Sequence, residues 1–235
     1  QHDAAEFLMA CLGHFRRVER LAGRRAPLDV DLNFADADSC VTCSEHLFLL
    51  LEEQRRLCST CGLSWVNLAP QSVLGLPLPS GDLREVTSDT GAYLLSDLYV
   101  SSCRSVELER SLDRANWCCS ELVVHEQRRF IGRPEVLFLQ VNRRFPDQEL
   151  VSRHRVVIED PLTLDDGTAQ KLGTWRLEAA WYHTGRTFRS GHYTCACRTA
   201  KGDFFYYDDR KSRALGRDIS HVNPSLVVLL AYVRL

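Results

Sequence analysis

The sequence has no excess of either charge, no long hydrophobic run and only one methionine, which is not the first residue. Its 235 residues carry 29 Lys and Arg against 31 Asp and Glu, for a formal net charge of −2. A chain so close to neutrality has no global attraction to nucleic acid or to an anionic membrane. The longest apolar run, residues 226–233, is far shorter than the roughly 18–20 residues of a membrane span and is typical of a buried strand. These absences predict a globular chain that binds neither membranes nor nucleic acid.

The beginning of the sequence also lacks a leader pattern. It opens with Gln1 and His2 and runs directly into helical periodicity, without a basic segment followed by an apolar one. We therefore expect a piece of a longer protein. The ten cysteines are too sparse for a small secreted disulfide scaffold, and four of them form two Cys-x-x-Cys pairs. Zinc in a reducing, intracellular compartment, cytoplasmic or nuclear, fits this pattern better than disulfides.

The apolar periodicity is helical at the start of the chain and strand-like later. Apolar residues repeat at helical spacing over residues 3–22, and Gly23 follows where a helix would end. Asp3 and Glu6 stand three residues apart at its start, the spacing of an N-terminal cap. Residues 24–46 lack a period and predict a loop or a short strand pair. Helical spacing returns near residues 93–100.

Short strand-like runs, separated by turns, occupy most of the remaining chain. They cover residues 47–51, 58–61, 74–78, 122–124, 136–141, 155–158, 175–182, 192–197, 203–207 and 226–233. Residues 160–173 are the most loop-like segment of the second half. This order predicts an α+β fold with helices first and a mostly antiparallel β region later.

The strongest chemical signal is a histidine followed by two adjacent aspartates. His192 precedes an aromatic run that ends at Asp208 and Asp209, and Lys201-Gly202 lies between them. Two strands joined by a turn at Lys201-Gly202 would form a hairpin that brings His192 beside Asp208. A carboxylate on one imidazole nitrogen fixes the tautomer, so that the other nitrogen can serve as a base. A His beside an Asp is also a common structural pair, and from the residues alone both interpretations stay open.

Five boxes of the sequence stand out. In chain order they are Gln1-His2-Asp3-Ala4-Ala5-Glu6-Phe7-Leu8, Pro134-Glu135-Val136-Leu137 with Arg143-Arg144-Phe145, the segment from Trp175 to Gly185, Gly191-His192-Tyr193 with the segment from Phe204 to Asp209, and Ala231-Tyr232-Val233. In this order they resemble segments of the ubiquitin-specific proteases. Because they span nearly the whole chain, their order is more specific than any single box. The resemblance implies a papain-like fold with a thumb remnant at 1–57, β-rich fingers at 58–140 and a palm at 141–235.

The resemblance also implies a reaction and a partner. In that family a cysteine thiolate attacks the carbonyl at the C-terminal glycine of ubiquitin, a histidine deprotonates the thiol, and an Asp or Asn orients the histidine. Carried over, His192 is the general base and Asp208 the orienting residue, with Asp209 as the fallback. The implied partners are ubiquitin and ubiquitinated proteins, and catalysis needs no cofactor.

Ubiquitin's tail carries arginines, which carboxylates in a narrow cleft would bind. The tail-binding residues implied by the resemblance are Gln1, Asp3, Glu6, Gly185, Gly191 and Tyr193. A plain helix cap is the alternative role for Asp3 and Glu6. Gly185 and Gly191 would be hinges of a loop that closes over the tail. His183 fits a structural histidine better than a second base.

The family's catalytic cysteine lies upstream of the first box, and no equivalent is present in this sequence. Cys11 falls on the apolar face of the first helix, and Cys195 alternates with Cys197 on a strand, so neither is a convincing substitute. Two hypotheses follow: part of a deubiquitinating cysteine protease that is complete only in the intact parent protein, or an inactive ubiquitin-binding module. A third, nucleic-acid binding through cysteine and arginine pairs, is disfavoured by the near-neutral charge.

A structural zinc ion is the one metal that the sequence suggests. The family pattern has two Cys-x-x-Cys knuckles at the fingertips. Cys58 and Cys61 make a good first knuckle, and the second should end at Cys118, but an alanine stands where its other ligand is expected. A local alternative joins Cys40 and Cys43 to Cys58 and Cys61 at ribbon spacing. A finger without zinc is the third interpretation, because strand pairing and packing can hold it.

Overall fold

The computed structural model describes residues 4–22, 26–27, 40–41, 47–78, 91–104, 106–109, 123–144, 151–165, 171–187, 190–220 and 222–235. Two helices are described over their whole length, α1 (Ala4–Leu21) and α2 (Leu95–Cys103). Residues 47–48 are also helical. Its strands are β1 (Ala26–Pro27), β2 (Cys40–Val41), β3 (Leu50–Cys58), β4 (Ser64–Gln71), β5 (Leu74–Pro77), β6 (Ala92–Leu94), β7 (Val106–Glu109), β8 (Val123–Ile131), β9 (Val136–Asn142), β10 (Arg155–Val157), β11 (Leu162–Asp165), β12 (Lys171–Thr187), β13 (Ser190–Arg198), β14 (Phe204–Asp208), β15 (Lys211–Gly216) and β16 (Val227–Arg234). None of the helices in these ranges is both long and apolar enough to cross a membrane.

A large sheet carries most of the second half of the chain. Its strands lie in the order β15-β14-β13-β12-β16-β9-β5, and β11 also pairs with β12. Strands β12 to β15 form a meander in which each strand pairs antiparallel with the next. Only β5 and β9 pair in parallel within the described part of this sheet. The fold is therefore the predicted α+β arrangement, β-rich and mostly antiparallel.

Both faces of the large sheet are covered by a helix, which explains the unbroken apolar run in β16. Leu230 and Tyr232 belong to the main core, which also contains the buried side of α2. Ala231 instead packs on the other side, in a cluster with Phe138 and with Leu12 of α1. Successive residues of a strand point to opposite faces, so a strand buried on both faces needs apolar residues at every position.

A smaller antiparallel sheet has the order β4-β3-β8-β7 and is held partly by charged side chains. Glu126 is 3% exposed and accepts hydrogen bonds from the Nε atoms of Arg56 at 2.7 Å and Arg128 at 2.9 Å. Burial raises the pKa of Glu126, but the hydrogen bonds and charges of the two arginines outweigh burial and hold that pKa below its usual value. Ion pairing thus lets the middle of β3 and β8 be polar.

Several predicted boundaries are wrong. A strand was expected at residues 47–51 and another at 58–61, whereas β3 runs from Leu50 to Cys58 through charged residues and residues 59–61 form a turn. Residues 160–173 were expected to be loop, yet they contain β11, because Leu162 and Leu164 alternate into the core. The short strand pair expected within 24–46 is confirmed by the pairing of β1 with β2.

The division into thumb, fingers and palm stays a prediction. The smaller sheet begins at Leu50, before the predicted start of the fingers at residue 58. Strand β5, inside the predicted fingers, pairs with β9 in the large sheet. The two sheets therefore do not follow the predicted boundaries residue by residue.

Candidate active site

The hairpin of β13 and β14 brings the predicted histidine and aspartate together. Register pairs such as Ala196 with Tyr206 align the two strands. His192 Nε2 lies 2.5 Å from Asp208 Oδ1, and both side chains are about half exposed, at 45% and 47%. Two residues further into the hairpin, Tyr206 donates a hydrogen bond from its hydroxyl to Thr194 Oγ1 at 2.7 Å. The pair is therefore accessible to a substrate while the strands beneath it are tied together.

The contact with Asp208 determines what the imidazole can do. Because Nε2 is engaged by the carboxylate, Nδ1 is the nitrogen that can exchange a proton with a reacting group. The hydrogen bond with Asp208 raises the pKa of His192, and the charges of Asp209 and Asp208 act in the same direction and outweigh the opposing effect of burial. This arrangement stabilises an imidazolium, which a general base becomes after it accepts a proton.

Asp209 has a different position from Asp208. It lies in the turn between β14 and β15 with φ +52°, a left-handed conformation that aspartate tolerates better than most residues. Its carboxylate, the imidazole of His192 and the carboxylate of Asp208 offer ligand atoms within 4.8 Å of one another. The three groups could also hold a divalent cation. The oxygen that accepts the hydrogen bond of His192, however, belongs to Asp208, the residue predicted to orient the histidine.

Gly185 and Gly191 lie at the end of β12 and the start of β13, next to His192. A Cβ atom on Gly191 would lie 2.2 Å from His183 Nε2, and one on Gly185 would lie 2.3 Å from the carbonyl oxygen of Ser190. His183 is 2% exposed, and its ring centroid lies 4.8 Å from that of Tyr193. Glycine is therefore required at both positions because the His183 ring and the backbone fill the space of a side chain. The role of Gly185 and Gly191 as hinges of a closing loop stays a prediction.

The start of α1 approaches the same end of the large sheet. Ala5 packs with Val228 and Leu229, and Tyr193 borders this cluster. Glu6 lies in the first turn of α1 and is exposed. Gln1 and Asp3, the other tail-binding residues predicted for this segment, lie outside the described residues.

The cysteines occupy several separate places. Cys58 is 1% exposed at the end of β3 and Cys61 is exposed in the turn that follows. The Cys58 N–H donates to Leu63 O at 2.9 Å, which closes this turn. Cys43 and Cys118 lie outside the described residues, and for Cys40 only the backbone is described, so the zinc ligand sets stay predictions.

Cys195 lies three residues after His192 on the same strand, so its side chain points to the opposite face of the sheet. Burial raises the pKa of its thiol to about 11, with the neighbouring Cys197 contributing in the same direction. A protonated thiol on the wrong face cannot serve as the nucleophile for His192. The structure thus agrees with the expectation that Cys195 is structural.

One buried residue near the site, Arg143, had been named only as part of a sequence box, with no role assigned to it. Arg143 is 1% exposed, and its guanidinium donates to four backbone carbonyls. Burial, and then the charge of Arg153, lower the pKa of Arg143. The available sequence signal was a basic residue directly after the apolar strand β9, but its carbonyl partners lie 9 to 84 residues away along the chain.

Comparison with known proteins identifies the family of the chain. The family model for ubiquitin carboxyl-terminal hydrolase matches residues 1–232, and the chain belongs to this family. Among curated proteins, no significant match was found.

Solved structures with a similar fold include assemblies that contain the protein Ubp8. The SAGA DUB module Ubp8/Sgf11/Sus1/Sgf73 bound to monoubiquitin matches with a TM-score of 0.73 and 18% identity, over 100% of this chain and 49% of that chain. A yeast SAGA DUB module with a mutant Sgf73 matches with a TM-score of 0.77 and 18% identity, over 99% of this chain and 50% of that one. The module bound to ubiquitin aldehyde gives a TM-score of 0.71, 18% identity, and coverage of 100% and 50%. The chain thus spans about half the length of the chains that it matches.

Proposed function

We propose that this chain supplies the general base and part of the ubiquitin-binding surface of a thiol-dependent deubiquitinase, which hydrolyses the peptide or isopeptide bond at the C-terminus of ubiquitin. The observation that carries the proposal is the hydrogen bond between His192 and Asp208 in a chain of the ubiquitin carboxyl-terminal hydrolase family. Two of the similar structures are bound to monoubiquitin and to ubiquitin aldehyde, which supports ubiquitin as the partner.

The mechanism assigns one task to each member of the pair. Asp208 holds the Nε2–H of His192, so that the Nδ1 lone pair can accept the proton of a cysteine thiol. The resulting imidazolium, stabilised by the carboxylate, then protonates the leaving amine while the thiolate forms the acyl-enzyme. We assign the nucleophile to a part of the protein outside the described residues, because the resemblance places it upstream of the first box and because Cys195, the cysteine nearest to His192 in sequence, lies on the opposite face of the sheet.

For the tail of ubiquitin we propose the region between α1 and the start of β13. Glu6 is exposed there, and an exposed carboxylate is a suitable partner for the arginines of an extended peptide. Gln1 and Asp3, which precede Glu6 in the sequence, are proposed as further tail-binding residues on the strength of the resemblance. Tyr193, Gly185 and Gly191 would form the opposite wall.

A second candidate function is ubiquitin binding without hydrolysis. It is favoured by the observation that Cys195, the cysteine nearest to His192 in sequence, is on the other face with a raised thiol pKa. A bound ubiquitin with no turnover in the full-length protein would establish this alternative.

The test is the release of a fluorogenic amine from the ubiquitin C-terminus by the full-length protein. His192→Ala should lower kcat by roughly three or more orders of magnitude, as removal of a catalytic triad member does, while ubiquitin binding persists. Asp208→Asn should cost less than Asp208→Ala, because an amide oxygen can still accept the imidazole N–H.

Asp209→Ala is the matched control for the orienting residue. It removes a neighbouring carboxylate without removing the hydrogen bond to His192. If Asp209→Ala is the more damaging change, the assignment of Asp208 is wrong. If His192→Ala leaves turnover intact, the cysteine-protease proposal itself is wrong.

A further inference from the structure

The strand beside the one that carries His192 is held by an arginine, Arg153, that belongs to neither of these two strands. Arg153 donates from Nη1 to the carbonyl oxygen of His183 at 3.4 Å and from Nη2 to that of Gly185. The N–H of Val151, two residues before Arg153, donates to Arg186 O at 3.1 Å. The segment around Arg153 is therefore bonded along the last part of β12, from residue 183 to residue 186.

This part of β12 lies directly against the active-site part of β13. His183 is in register with Tyr193, and Thr184 is in register with His192. The ring of His183 also fills the space beside Gly191, where a Cβ would lie only 2.2 Å from its Nε2. A shift of the His183 backbone would therefore displace Gly191 and, with it, the backbone of His192.

The backbone around Arg153 is itself held in place by hydrogen bonds. The carbonyl oxygens of Ser152 and His154, on both sides of Arg153, accept hydrogen bonds from Nη1 of the buried Arg143 at 3.2 and 2.8 Å. Arg143 Nε also donates to Val227 O, at the start of the central strand β16. The backbone on both sides of Arg153 is thus bonded to the buried Arg143, independently of the contacts that the Arg153 side chain makes with β12. A planar guanidinium with several donors suits two carbonyls that lie two residues apart.

We propose that Arg153 is a positioning residue for His192: by binding the carbonyls of His183 and Gly185 it fixes the strand segment that sets where the imidazole stands. This inference rests on the proposed function. Arg153 does not touch the reacting atoms, so its effect passes through the backbone of β12 and the register pairing with β13.

The experiment compares Arg153→Met, Arg153→Lys and wild type in the full-length protein. Arg153→Met keeps the aliphatic part and removes all donors, and it should lower kcat by roughly ten- to a hundredfold, since small misplacements of a catalytic group are costly. KM should change by no more than about twofold, because uniform substrate binding is not removed. Arg153→Lys, with an ammonium that can still reach a carbonyl, should restore part of kcat.

A second readout does not depend on turnover. The NMR signal of the His192 imidazole is identified by its absence in His192→Ala. This signal is then followed as a function of pH in each Arg153 variant. In Arg153→Met the pKa of His192 should fall towards its ordinary value, because the histidine is no longer held against Asp208. The matched control is Arg217→Met: this guanidinium is 85% exposed and 3.8 Å from Asp203, and its removal should change neither kcat nor the titration.

The outcomes separate the two proposals. A wild-type protein without turnover refutes the proposed deubiquitinase, whereas the titration of His192 still decides the role of Arg153. If Arg153→Met lowers only Tm, with kcat and the His192 titration unchanged, Arg153 is purely structural and the inference is overturned. If Arg153→Met does not fold, Arg153→Lys carries the test, and an unchanged kcat and titration in that variant together with a lowered Tm would overturn it as well.

Discussion

The proton affinity of a single side chain, His192, connects the catalytic proposal to the stability of the fold. Its hydrogen bond with Asp208 raises the pKa of the imidazole in the folded protein. A raised folded-state pKa means that the protonated histidine favours the folded state. This contribution is fully present below the unfolded-state pKa, about 6.5, and is lost as the pH rises through the folded-state pKa.

Asp208→Ala should therefore reduce the free energy of unfolding more in mildly acidic than in alkaline solution. The measurement is urea unfolding of wild type and variant at a series of pH values from about 5 to about 9, which spans the titration of histidine. In a His192→Ala background the same Asp208→Ala change should show no dependence on pH in this range. A loss of stability that grows with pH would contradict the pairing of these two side chains.

The residues of the site differ in how visible they are to sequence analysis. His192 and Asp208 could be predicted to meet because both lie in one short hairpin, where register follows from a turn and alternation. The contacts of Arg153 could not be predicted, because its partners are carbonyl oxygens 30 and 32 residues away along the chain. Every residue type has a carbonyl, so the sequence carries no signal for such partners. Sequence patterns therefore indicate the reacting side chains but not the side chains that position them by hydrogen bonds to backbone carbonyls.

Among the elements, two glycines in different settings allow a direct comparison of packing. Gly191→Ala places a Cβ 2.2 Å from His183 Nε2 and 2.7 Å from Thr184 O, so the strand pair β12 and β13 must shift. We expect a loss of about 1–3 kcal/mol in the free energy of unfolding, typical of overpacking. Chemical denaturation measures it.

Gly13→Ala is the matched control because it makes the same change in α1, where a Cβ would meet nothing within 4 Å. It should stabilise the protein by roughly 0.5–1 kcal/mol, the difference between alanine and glycine in a helix. If Gly191→Ala and Gly13→Ala had the same free energy of unfolding, the close contact at Gly191 would not contribute to stability.

Elements whose burial follows a simple period were predictable, and those held by charge were not. The apolar run of β16 and the alternation of β13 indicated strands because their positions face packed cores. Strand β3 continues through Glu52 and Glu53, which are buried but paired with arginines of β8. A hydropathy pattern counts such carboxylates as exposed, so it ended the strand too early.

At the scale of the whole molecule, the metal content of the smaller sheet can be predicted. We predict at most one zinc per chain, with Cys58 and Cys61 as ligands in either arrangement considered above. The turn between them is already closed by backbone hydrogen bonds, with Gly62 N donating to Cys58 O at 3.0 Å. Elemental analysis of the purified protein measures the metal.

Cys61→Ala should abolish any zinc content, and as an exposed position it should not disturb the core. Cys103→Ala, a change of the same type at a buried cysteine of α2, should leave the zinc content unchanged. Sensitivity to Cys40→Ala would select the local ribbon over the fingertip site. A full equivalent of zinc that survives Cys61→Ala would refute both arrangements.

The outer strands of the large sheet are unlike its centre. In the described part, β15 closes one side, and its first four residues, which include Lys211 and Arg213, are exposed. On the other side β5 ends at Pro77, which has no N–H to offer. Charge and proline at open sheet edges discourage the addition of a strand from another molecule. The sheet that presents His192 and Asp208 is thereby protected from edge-to-edge aggregation, although its interior is among the most apolar parts of the chain.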